Sequence, residues 1–225
     1  GVDLVVTRAG ASQGITSAID ESLTAQIAEL PGVAEVTGGL IEVVSYEQQQ
    51  LYGVLVHGWQ LDAQPLREMK LLAGRRLAAG DSRHVMLGKV LAANLGLQPG
   101  DTLEVVPAEP FEVVGIYESF SVFENGAMVI LLAELQRLMD RGGQVTSFNL
   151  KARGTPDAAA LAALKARVEQ VAPQLSATPT EAFANASSQI RLASGMSKLT
   201  SLIALVVGTI GMLNTMVMSV FERTR

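Results

Sequence analysis

The chain has 225 residues, 48% of them hydrophobic, with 17 Lys and Arg against 22 Asp and Glu, a formal net charge of −5 and no cysteine. That length suits one large domain or two small ones, and the interspersed, net acidic charge leaves no electrostatic footprint for nucleic acid. Without cysteine there can be no disulfide, thiolate metal site or cysteine nucleophile, although either side of a membrane stays open.

Residues 3–7 (Asp-Leu-Val-Val-Thr) read as a short strand. Ile15, Ile19, Leu23, Ile27 and Leu30 follow at helical spacing, and Pro31-Gly32 is expected to stop that helix. Residues 33–44 and 51–57, rich in β-branched side chains, read as two further strands, so the opening is a β-α-β-β unit. Trp59, directly after His57-Gly58, is expected to anchor a junction between subdomains.

Residues 61–126 differ in texture. Turns marked by Gly74, Gly80-Asp81 and Pro99-Gly100-Asp101 separate short strand-like runs at 84–87, 103–106 and 111–117. This reads as a compact β-rich insert. The segment 117–126 carries Phe120 and Phe123 and ends in Asn125-Gly126, a hairpin-type turn signal, so the two rings are candidates for contact with an external partner protein.

A strand at 127–132 and a helix at 133–140 come next. Residues 147–153 then read as a strand, Thr155-Pro156 as the cap of a helix with Leu161, Leu164, Val168 and Val171 on one face, and 175–178 as a short strand. The repeated order of strand, helix, Pro-marked turn and strand suggests weak internal symmetry. Thr178-Pro179-Thr180-Glu181 has the form of a capping box with Pro at the first helical position, and no proline follows it.

From Leu199 to Val220 run 22 residues without a charge, bounded by Lys198 and by Glu222-Arg223-Thr224-Arg225. A helix of that length reaches about 33 Å, enough for a bilayer core of about 30 Å. Ala204, Gly208, Gly211 and Asn214 within it suit close helix packing. Arg191 and Lys198 before the run balance Arg223 and Arg225 after it, so charge gives no orientation. Position 1 is Gly, not Met, and a piece of a longer protein is expected.

No cofactor is implied by any motif. His57 and His84 lack metal-ligand spacing, Gly88-Lys89 lacks the upstream glycine and following Ser or Thr of a phosphate loop, and Glu42, Glu47, Glu104 and Glu112 read as solvent-facing strand positions. Neither a Gly-x-Ser-x-Gly elbow nor a dinucleotide fingerprint occurs. The residues themselves favour a non-catalytic membrane component. They leave open a permease subunit, a single-span receptor or adhesion domain for an external ligand, and a tethered hydrolase with an unadvertised site.

The run from Asn214 to Arg225 resembles the end of the second transmembrane helix of MacB/FtsX-type ABC transporter permeases. Residues 71–77, 85–88, 95–101 and 111–116 are similar to the extracytoplasmic domain of that family. The resemblance implies an α+β fold in which a discontinuous porter-like subdomain (1–60 and 127–190, with βαβ units) carries an inserted small β-rich subdomain (61–126). A stalk and transmembrane helix (191–221) and the start of a cytoplasmic coupling segment (222–225) would follow. It further implies that residues 1–190 lie outside the cell (inner) membrane and that Glu222, Arg223, Thr224 and Arg225 touch a cytoplasmic ABC ATPase. A second permease copy, identical or not, and membrane lipid complete the implied surroundings, ATP being hydrolysed by the separate partner.

Overall fold

The computed structural model describes residues 2–10, 17–47, 50–119 and 122–180, together with Thr209 and Met212. The chain opens with β1 (Leu4–Arg8), whose Leu4 and Val6 point into the core while Val5 and Thr7 alternate to the other face. A two-residue strand, β2 (Ile19–Asp20), precedes helix α1 (Leu23–Ala28), and a long hairpin follows, β3 (Val33–Tyr46) and β4 (Leu51–Trp59). The helix expected from Ile15 onward is therefore shorter. Ile19 pairs with Val145 in a small ladder, and only Ile27 of α1 is buried, so tertiary pairing overrides the 3.6-residue spacing.

Helix α2 (Gln64–Glu68), β5 (Lys70–Gly74), β6 (His84–Gly88), α3 (Lys89–Leu95), β7 (Thr102–Val106) and β8 (Glu109–Glu118) make up the middle of the chain. The short helix α4 (Val122–Asn125), β9 (Met128–Leu131), α5 (Leu132–Leu138), β10 (Gln144–Val145), β11 (Ser147–Ala152), α6 (Ala158–Val171) and β12 (Leu175–Pro179) complete it. Ten of the strands form one sheet in the order β12-β1-β11-β3-β4-β9-β6-β8-β5, with β7 also on β8; β10 and β2 form the separate ladder.

Burial explains the sequence pattern strand by strand. Helices α1, α3, α5 and α6 cover one face through Ile27, Leu91, Leu135, Leu164 and Val168. On the other face, α2 and Leu77 cover a second cluster of Trp59, Met86, Val114, Tyr117 and Val129. Strands β6 and β9 lie between both clusters, which is why Val85-Met86-Leu87 and Met128-Val129-Ile130 are continuous apolar runs, whereas β1, apolar on one side, alternates.

One cap sits elsewhere than the sequence suggested, and a second expected capping pattern falls on a strand. Asp157, not Thr155, caps α6, its carboxylate accepting from Ala160 N–H at 2.7 Å; Pro156 precedes the cap, and Val171 stays exposed. Thr178 and Pro179 belong to β12, opposite Val5 and Leu4, so the expected helix cannot start at Pro179. Sheet pairing with β1 wins there over the local capping pattern. Residues 181–225 form a second unit, of which Thr209 and Met212 are described, both helical, with Met212 exposed. No helix among the described residues is long and apolar enough to cross a membrane.

Candidate functional surfaces

The segment that carries Phe123 is built as a clamp. Asn125 is buried, and its side chain accepts from Ser119 N–H at 2.9 Å and donates to Ser119 C=O at 2.8 Å. The Tyr117 hydroxyl donates to Glu124 C=O at 2.7 Å; burial, reinforced by Glu124, raises the phenol above its ordinary pKa. A glycine is required opposite, because a Cβ on Gly88 would stand 2.5 Å from the carbonyl oxygens of both Glu124 and Asn125. Asn125-Gly126 thus ends a helical turn, Gly126 N–H reaching Phe123 C=O, rather than making a two-residue hairpin.

This clamp presents Phe123 with 47% of its surface exposed, next to α3 with its exposed Val90. Beside them Glu118 receives Lys89 and, at 3.3 Å, Lys70. Hydrogen bonding to Lys89 above all, then to Lys70, holds its carboxyl below the usual range. Phe120 lies outside the described residues. So do Ala204, Gly208, Gly211, Asn214, Glu222, Arg223, Thr224 and Arg225, and with them the expected transmembrane helix.

Several other ionisable groups are engaged in structure. Arg75 forks onto Asp81 at 2.6 and 3.1 Å and by that hydrogen bond keeps the carboxyl below its ordinary pKa. Arg67 pairs with Glu35 at 2.7 Å, and Arg83 and Arg137 share Glu109. Arg141 joins Glu42, which is consequently half-buried rather than free on the sheet, and also donates to Ser17 C=O at 2.8 Å. His84 stands 3.7 Å from Asp81 and 3.8 Å from Glu112. His57 is buried and stacked on Trp59, ring centroids 6.1 Å apart, with neither nitrogen bonded among the described residues, and desolvation pushes its pKa down to about 4. Among the described residues no three His, Asp or Glu side chains converge on a metal position.

Trp59 fills the place that glycine vacates on the neighbouring strand: a Cβ on Gly39, its cross-strand partner, would lie 2.2 Å from the indole. The ring joins residues from α2, β6, β8 and β9, so it does link the hairpin to the middle of the chain.

What this architecture defines is a mixed α/β domain whose two chain connections meet. β1 and β12 are antiparallel neighbours, Leu4 stands opposite Pro179, and Thr180 N–H bonds to Asp3 C=O at 3.1 Å. The chain belongs to the family of MacB-like periplasmic core domains, which it matches over residues 2–171, and hence to the extracytoplasmic part of MacB/FtsX-type ABC transporter permeases. Its fold is similar to the periplasmic region of MacB from Actinobacillus actinomycetemcomitans: TM-score 0.60, 13% identity, covering 82% of this chain and 92% of that one. It is also similar to the extracellular domain of the noncanonic ABC-type transporter YknZ from Gram-positive bacteria: TM-score 0.58, 11% identity, covering 79% and 100%. No curated protein matches the chain significantly.

Proposed function

We propose that this chain is a mechanical element of a permease, passing ATPase-driven motion of the membrane helices to an extracytoplasmic domain that helps export or extract a substrate. Membership of the MacB-like family over residues 2–171 carries this reading. The pairing of β1 with β12 is consistent with it, since both connections leave the domain side by side, as two adjacent membrane helices would require. In this reading residues 191–221 are stalk and span, Ala204, Gly208, Gly211 and Asn214 pack that helix against others, and Glu222 to Arg225 meet the cytoplasmic ATPase. The chain itself is non-catalytic and works beside a second permease copy.

The same reading divides the domain into a porter-like part (1–60 and 127–190) and an insert (61–126). The parallel pairing of β4 with β9 is consistent with it, because the strand that ends before the insert at Trp59 and the strand that begins after it at Met128 are neighbours in the sheet. Phe123, and with it Phe120, would face an external partner. The test is the Glu222→Ala/Arg223→Ala double variant of the full-length parent in membranes. ATP-dependent transport should fall with the domain still folded, and unchanged transport would refute the coupling role. Co-purification from mild detergent should recover a P-loop ATPase; recovery of the intact protein without one would favour a receptor-like anchor.

A further inference from the structure

A cleft of about 630 Å³ opens between the tip-proximal end of β3 and strand β7, lined by Ser45, Tyr46, Glu47, Leu95, Leu97 and residues 102–107. Strand β7 pairs with β8 and, among the described residues, with no other strand. Its register tells which backbone groups are left over. Val113 N–H donates to Asp101 C=O at 2.8 Å, making that a hydrogen-bonded position. Such positions alternate along an antiparallel ladder. Leu103 therefore bonds inward to Phe111, while Thr102 and Glu104 turn their N–H and C=O away from β8. Pro110, opposite Glu104, has no N–H to offer, which fits a position that makes no bond to β7. Because six consecutive residues, 102–107, line the cleft, its wall is the open edge of β7 rather than one face of it.

An open strand edge is a template for another strand, and the lining says which one. Leu95, Leu97 and Val106 are half-exposed and apolar. Among the described residues the charged lining groups are Glu47 and Glu104, both exposed, with no Lys or Arg. Tyr46 Oη is buried in the same wall with no hydrogen-bond partner among the described residues. A second copy pairing through its own β7 would bring Glu104 close to Glu104, a like-charge contact that disfavours self-association.

We propose that β7 and this cleft bind an extended segment of a partner protein, alternating apolar with Lys or Arg residues, which adds to the sheet as a further strand. Its backbone pairs with Thr102 and Glu104, its apolar side chains cover Leu95 and Leu97, and its cations meet Glu47 and Glu104. The site goes beyond the transporter reading and stands or falls independently of it.

The probe is a dye-labelled, end-blocked octapeptide of alternating Val and Lys, titrated by fluorescence anisotropy against the 225-residue chain in non-ionic detergent. Saturable binding is expected, weakened about tenfold or more in the Val/Glu peptide and about tenfold by Glu47→Gln/Glu104→Gln, whose exposed side chains are not needed for folding. N-methylation of alternate peptide residues should abolish binding in one register and spare it in the other, because only every second N–H faces β7. Absence of saturable binding would overturn the proposal. So would equal binding of both N-methylated registers, or indifference to the two glutamates, since either marks mere charge attraction.

Discussion

Gly88→Ala tests whether the seat of α4 depends on close backbone approach. Gly88 lies at φ −65°, ψ 147°, where alanine is unstrained, so the substitution acts through space alone. The new Cβ would stand 2.5 Å from the Glu124 and Asn125 carbonyl oxygens and 2.6 Å from the Asn125 carbonyl carbon. These are backbone atoms that cannot rotate aside, and comfortable carbon–oxygen contacts are roughly 0.7–0.9 Å longer. Either α4 moves, breaking the Tyr117 hydroxyl bond to Glu124, or β6 shifts in a core where Val85, Met86 and Leu87 are fully buried. Overpacking of this kind costs about 1–3 kcal/mol. At 2 kcal/mol the melting temperature falls by about 4–8 °C for a unit of this size. The chain's one tryptophan, Trp59, is 5% exposed and reports unfolding directly by its emission in urea. Gly142→Ala is the control, because nothing lies within 4 Å of its Cβ and its φ lies outside the left-handed region. That control should be neutral or slightly stabilising. A Gly88→Ala midpoint equal to wild type would refute the argument.

Protonation of His57 should cost stability in acid. With its pKa pushed down to about 4 in the fold against about 6.5 unfolded, the unfolded chain binds the extra proton between those values. This contribution is fully present above pH 6.5 and is lost as pH falls toward 4, by at most about 3 kcal/mol. His57→Phe should flatten the stability slope in that window, and an unaltered slope would show that the ring is not buried neutral. Tyr46→Phe, removing a buried hydroxyl without a partner among the described residues, should leave stability unchanged or raise it by up to about 1 kcal/mol in urea melts. A loss of that size would reveal a hidden partner. Asp157→Ala removes the α6 cap and should cost about 1 kcal/mol, restored in part by Asp157→Asn. If alanine is tolerated without loss, the cap contributes nothing.

Most strands were legible because their side chains carry their own evidence. The alternation of β1, the β-branched length of β3 and β4, and the unbroken apolar runs of β6 and β9 report whether one face or both are covered. Local turn chemistry placed the breaks at Pro31-Gly32 and Pro99-Gly100. The family was equally readable from the short runs 71–77, 85–88, 95–101 and 111–116, which lie within the matched residues 2–171, whereas the run 214–225 lies outside that match.

Tertiary pairing decided what local signals could not. Ile19 obeys a helical period yet joins Val145, and Thr178-Pro179 spells a cap yet completes a strand beside β1, because a ladder partner distant in sequence outweighs a propensity worth fractions of a kcal/mol. Nothing in the sequence brings Tyr46 to residues 102–107, or shows that Glu47 and Glu104, both exposed, share the rim of one cleft. Strand order creates that edge, and strand order is fixed by which apolar faces bury one another across the whole domain, a property no single segment contains.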